Sequence, residues 1–225
     1  MLRPTKKLKK KEIKEDPLVT AYVRVQKFLR SHARELNIGI TVLLIVVIVG
    51  VLMVRSKKRS EIAAAGQLSM AEQYYHAGEY EQAIPELSRV ADTYSGTHAA
   101  GKAVFFVANA YFHLEDYTNA EIFYRRYADE YTDLPLFGAS SLAGVAACLE
   151  SSDSYAEAAE WYEKAAVKYP DGFDAPFLLK HAGRCFRLAG DRINTVRVYQ
   201  TILDEYPDSS VRQDVGFLLE SMSGG

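Results

Sequence analysis

Lys180, His181, Arg184 and Arg187 place four cationic or titratable side chains within eight residues. Ammonium and guanidinium groups so grouped donate charge-assisted hydrogen bonds to a carboxylate or an acidic segment. Earlier in the chain, Lys102, Phe105, Asn109 and Phe112 combine a cation, an amide and two aromatic rings at helical spacing. Residue sets with reactive chemistry are not found. The histidines His32, His76, His98, His113 and His181 are scattered, with no His-x-x-x-His pair, no glycine-rich phosphate loop and no CxxC. Carboxylates are plentiful, but they alternate over helical faces as solvated groups do. We therefore expect a binding protein: no catalytic residues, no metal site and no cofactor.

Cys148 and Cys185 lie 37 residues apart. As equivalent points on neighbouring packed helices they should be roughly 8–10 Å apart, beyond the ~7 Å that a disulfide allows between α-carbons. They are expected as small buried fillers; a redox pair is the alternative.

The elements that position these residues emerge from charge and hydropathy. The 225 residues carry 27 Lys+Arg and 29 Asp+Glu, but the balance is uneven. Residues 1–60 hold 15 cations against 4 acids, a net of +11, and the remainder 12 against 25, a net of −13. A basic leader on an acidic body suggests two environments. The acidic body also argues against nucleic-acid binding, which needs clustered cations to displace counterions. At 48% apolar residues the body is not a disordered tail.

Ile38–Val54 is a run of 17 residues without charge, amide or proline, and thirteen are Ile, Leu or Val. At roughly −0.4 kcal/mol each, insertion into lipid is favourable by several kcal/mol. With Leu36 and Asn37 the run approaches the length that spans a bilayer. Arg55, Lys57, Lys58 and Arg59 follow at once, and the small residues Ala63–Ala65 come too late for a cleavage site, so a retained anchor is expected over 36–54. The larger cation total in the leader predicts a cytoplasmic N-terminus and a translocated acidic body. Within the leader (1–35), Leu18, Tyr22, Val25 and Leu29 recur at helical spacing among Lys27, Arg30 and Arg34. Such a helix suits an anionic inner leaflet, or serves as a solvated extension of the anchor. Residues 55–61 read as a linker.

A repeat fills 62–225. Ala71, Ala108, Ala146 and Gly183 are spaced by 37, 38 and 37 residues. The same offsets connect Ala83, Ala120, Ala158 and Thr195; Tyr94, Tyr131, Tyr169 and Tyr206; and Leu87, Tyr124, Tyr162 and Tyr199. Each unit reads as two amphipathic helices joined by a tight turn rich in Gly, Asp and Ser, as in His76-Ala77-Gly78-Glu79-Tyr80 and Ala189-Gly190-Asp191. The fold class expected is all-α: a transmembrane helix, then an α-solenoid of four hairpins closed by a solvating helix over Ser209–Met222.

These columns resemble the tetratricopeptide repeat: a small residue, an aromatic three on (Tyr74, Tyr111, Phe186, with Leu149 in the third unit), a turn, then Ala and an aromatic. The later units close on Tyr169-Pro170 and Tyr206-Pro207. The spacing exceeds the usual 34, and Arg192 and Thr195 depart from the pattern. In that family the first helices line a peptide-binding groove. The resemblance therefore implies a face of Leu68, Glu72 and Tyr75; Lys102, Phe105, Asn109 and Phe112; Ala143 and Ala147; and Phe177, Lys180, His181, Arg184 and Arg187. The family's two-carboxylate clamp is not reproduced, since Glu72 stands where a base is wanted.

The order of basic tail, single span and repeats further resembles the YfgM family, ancillary subunits of the SecYEG translocon in the bacterial inner membrane. That likeness implies a periplasmic repeat domain and protein partners among the translocon and periplasmic chaperones. It implies a scaffold or chaperone-like adaptor. The alternatives are a structural envelope protein linking inner-membrane machinery to outer-membrane assembly or division, and a docking subunit for a separate enzyme.

Overall fold

The computed structural model describes residues 17–131 and 134–223. The basic stretch 1–16 of the leader lies outside the described residues. The chain divides into two compact units, Met1–Ser56 and Lys57–Gly225.

In the first unit, α1 (Pro17–Ser31) carries Tyr22, Val25 and Leu29 exposed along its apolar stripe. The next helix, α2 (Ala33–His76), begins in this unit and ends in the second. Its apolar stretch is uncovered: Leu44, Ile48 and Leu52 are each more than half exposed, and none of its most apolar window is buried. A helix apolar all round has no solvated face to offer water. This one is long and apolar enough to cross a bilayer. Residues 55–61, read from sequence as a linker, have helical backbone within α2. Ser56, Lys57, Lys58 and Arg59 are polar, yet nothing there breaks a helix, because Gly and Pro are missing and Ala63–Ala65 favours helix strongly.

The second unit is all-helical among the described residues. After the end of α2 come α3 (Tyr80–Thr93), α4 (His98–His113), α5 (Tyr117–Glu130), α6 (Pro135–Ser151), α7 (Tyr155–Lys168), α8 (Ala175–Leu188), α9 (Arg192–Glu205) and α10 (Arg212–Ser223). From α3 on, each helix packs against the next in sequence, and α4 also packs on α6. The result is a solenoid of four hairpins with α10 as the closing helix. First helices (the end of α2, then α4, α6, α8 and α10) form one layer, and α3, α5, α7 and α9 form the other.

Glycines in the first helices explain the close approach of the layers. The Tyr199 ring of α9 lies over Gly183 of α8, and Tyr124 of α5 lies over Gly144 of α6. The closing tyrosines do the same at the other end, Tyr131 over Gly101 and Tyr169 over Gly138. Tyr124, Tyr127, Tyr131, Tyr162 and Tyr199 are all buried, so aromatic volume fills the space that glycine and alanine leave.

Every turn between a first and second helix ends in the same way. Gly78, Glu115, Asp153 and Gly190 all have φ near +60° to +80°, and they follow the same 37, 38, 37 offsets. The amide after each donates back five residues to a carbonyl, Glu79 to Tyr74, Asp116 to Tyr111, Ser154 to Leu149 and Asp191 to Phe186. This satisfies helix-end carbonyls in the left-handed C-terminal motif. Asp116 and Asp191 then cap the next helix by accepting from the amides of Asn119 and Asn194. Left-handed backbone costs a non-glycine residue about 1–2 kcal/mol. Glu115→Gly should accordingly raise unfolding free energy by about 0.5–1 kcal/mol after the larger unfolded-state entropy of glycine is allowed for, as read by urea titration.

Candidate partner-binding face

Five of the residues on the expected face come together. Lys180, His181, Arg184 and Arg187 line one cleft of 370 Å³ between α8 and α10, with Phe177, Tyr199, Asp214 and Leu218. Lys102, Phe105, Asn109 and Phe112 lie on α4, away from that cleft. Phe105 is half-buried and packs edge-on against Phe137 at 4.9 Å and against Tyr124 and Tyr127 at about 6 Å. Asn109 accepts a hydrogen bond from the Tyr124 hydroxyl at 2.5 Å. Phe112 meets Tyr117 edge to face at 5.3 Å. Lys102 has no ion pair among the described residues.

The cations of α8 are largely balanced. Lys180 bonds Asp214 of α10 at 2.7 Å. Both oxygens of Glu150 accept from the Arg184 guanidinium, one of them at 2.8 Å, and the Tyr162 hydroxyl donates to the same carboxylate at 3.3 Å. Burial raises the Glu150 pKa, but the Arg184 bonds and charge outweigh it and hold the group below the usual carboxylate range. Arg187 is exposed and lines the cleft beside Tyr199. The cluster is thus closer to neutral than its cation count suggests, with Arg187, among the described residues, the one of its three cations not paired to an acid.

Glu150 escaped the sequence reading although the signal was present. Tyr75, Phe112, Glu150 and Arg187 follow the 37, 38, 37 offsets, so Glu150 belongs to a face column of which three members were read. A second pattern went unread. Asp92–Arg126, Glu150–Arg184, Glu163–Arg197 and Lys180–Asp214 are opposite charges 34 residues apart, and all four pair. That interval is one repeat less one helical turn, so each pair spans parallel helices of adjacent units. Exposed pairs contribute about 0–1 kcal/mol each, too little to explain stability. They fix the register between units. Trp161 of α7 adds a further link, with the Arg125 guanidinium of α5 4.4 Å from its ring centre and Lys164 at 4.0 Å.

Cys148 and Cys185 are free and buried, and burial pushes both thiols up to about 12. Such thiols are protonated at neutral pH and unreactive.

His181 stacks on Tyr162 at 5.3 Å, and its Nδ1 accepts from Arg184 at 3.1 Å, which requires a neutral ring. Burial first and Arg184 next push its pKa below the ordinary value; Glu150 opposes this and Lys180 adds to it. A lowered pKa means the unfolded chain takes up the proton first, so stability is full above pH about 6.5 and is lost as pH falls through that value. His181→Gln should flatten the fall in melting temperature between pH 7.5 and 5.5; an unaltered slope would exclude His181 as its source.

Residues 68–135 match one tetratricopeptide-repeat family model and residues 178–209 match another. No curated protein matches the chain in sequence. Among solved structures it is similar to a Podosopora anserina protein assigned as a kinesin light chain, built of nearly identical TPR-like repeats. The TM-score is 0.53 at 14% identity, covering 69% of this chain and 82% of that one. A point-substituted form of the same protein gives 0.52 at the same identity and coverage. At that identity the likeness concerns the fold. Family models, column spacing and helix packing agree: residues 68–135 and 178–209 carry tetratricopeptide repeats, within a stacked helical scaffold of the type that serves protein–protein interaction.

Proposed function

We propose that the chain is a membrane-anchored, non-enzymatic adaptor whose first-helix face holds a protein partner. The observation that carries this is the uncovered apolar stretch of α2 on the same chain as a repeat scaffold. Tethering confines the face near the bilayer and raises its effective concentration for membrane-associated partners without any new contact. The favoured setting is the bacterial inner membrane, with a cytoplasmic N-terminus and a periplasmic repeat unit. The favoured partners are the Sec translocon and periplasmic chaperones handling emerging chains. The cation surplus before the span supports this orientation, and the near-neutral cleft suits extended peptide better than a strongly acidic ligand.

Purification from membranes in mild detergent tests the assignment. Translocon subunits should copurify with the chain. Recovery of outer-membrane or peptidoglycan-binding proteins instead would replace the adaptor with a structural envelope link.

A further inference from the structure

The first helices start from one edge of the repeat unit. Glu61 of α2 accepts from the backbone amides of His98 and Ala99 at the start of α4, at 3.0 and 3.2 Å. The Glu150–Arg184 and Lys180–Asp214 pairs hold α6, α8 and α10 in the same parallel register. The starts of α6 and α8, and the loop that precedes α8, therefore lie on this edge. There Phe173 is 85% exposed, Leu136 67% and Ile62 66%. Leu136 and Phe173 flank a cleft of 450 Å³ lined by Ala139, Tyr169 and Leu178.

The chain enters the repeat unit at this same edge. Lys57 is the unit's first residue, three beyond Val54, where the apolar run ends. Glu61, already bonded to the start of α4, is seven residues from Val54, a reach of at most about 25 Å for any backbone conformation. With Ile38–Val54 in a bilayer, the entry end of this edge, at Glu61, is tethered within that distance of the lipid, and Leu136 and Phe173 follow along the same edge. The opposite edge, where Ile193 is 82% exposed, has no such tether.

We propose that the loop edge is a lipid-contacting surface, with Phe173, Leu136 and Ile62 seated in the bilayer interface. This rests on reading Ile38–Val54 as a retained span. The contact is led by apolar side chains: the exposed Asp171 and Asp174 beside Phe173 are offset by Lys168 in the same cleft and by Arg55, Lys57, Lys58 and Arg59 where the chain enters, so zwitterionic lipid suffices.

The test uses the full chain in phosphatidylcholine vesicles with brominated acyl chains, which quench nearby tryptophan. In a Trp161→Phe background, checked for unchanged helical circular dichroism, single tryptophans are placed as Leu52→Trp, Leu136→Trp, Phe173→Trp and Ile193→Trp. Leu52→Trp should be strongly quenched, Leu136→Trp and Phe173→Trp by about half as much, as suits shallow insertion, and Ile193→Trp hardly at all. Quenching at Leu52→Trp without quenching at Leu136→Trp and Phe173→Trp leaves the span standing and overturns the edge proposal, giving that edge to water, a second copy or a protein partner. Equal quenching at Phe173→Trp and Ile193→Trp also overturns it. No quenching at Leu52→Trp removes the span, and the proposal with it.

Discussion

Gly183→Ala should lower the unfolding free energy by about 1–2 kcal/mol, although alanine is the residue that the other three repeats carry in that column (Ala71, Ala108 and Ala146). Helix propensity alone favours the change by about 1 kcal/mol. Geometry opposes it: a Cβ at Gly183 would stand 2.1 Å from Cε1 and 2.6 Å from Cδ1 of Tyr199. Tyr199 is 1% exposed, and its ring belongs to the same core as Val198, Ile202 and Val215. A rigid buried ring cannot yield as a flexible side-chain end can, so the ring or α9 must shift. Overpacking of this kind costs about 1–3 kcal/mol and more when nothing can relax, which exceeds the propensity gain. Gly66→Ala supplies the contrast, because nothing lies within 4 Å of a Cβ there; it should be neutral or stabilising by up to about 1 kcal/mol. Chemical denaturation of the purified chain in detergent measures both. Equal, favourable shifts would show that Tyr199 does not need glycine beneath it.

Leu44→Arg combined with Ile48→Arg should release the chain from membranes. Both positions lie mid-way along the uncovered stretch of α2, one turn apart, and both are more than half exposed. Thirteen aliphatic residues at roughly −0.4 kcal/mol each favour insertion by about 5 kcal/mol, whereas each arginine costs about 2.5–3.5 kcal/mol at the centre and also removes a favourable residue. The balance turns unfavourable. Extraction of membranes with alkaline carbonate should leave the native chain in the pellet and the double variant in the supernatant. The intact mass of the native chain should include residues 1–60. A mass beginning after Arg59 would instead identify the apolar run as a cleaved signal.

Much of the architecture could be read from sequence because repetition makes packing visible. A column such as Tyr94, Tyr131, Tyr169 and Tyr206 keeps its spacing only if each unit meets the next in the same way, and the structure closes each of the two middle units by laying that tyrosine on a glycine. The apolar run was equally plain, since no globular packing calls for seventeen residues without a polar face. Side-chain pairing was harder to see. The ion pairs at an interval of 34 depend on helices being parallel and in register, a property of the assembled stack and not of any segment. Phe105 shows the same limit from the other side. Its column places it on the first-helix face, but its contacts with Tyr124, Tyr127 and Phe137 tie it into the core. Glu150 was omitted because carboxylates in this acidic chain look solvated, and only the facing Arg184 distinguishes it.

Partner binding is proposed for the first-helix face and not for the second-helix face. Photocrosslinking residues placed at Phe112 and Arg187 on one face, and at Ile122 and Val167 on the other, test it in intact cells. Discrete protein adducts are expected from Phe112 and Arg187 and none from Ile122 or Val167. Adducts confined to Ile122 and Val167 would contradict it.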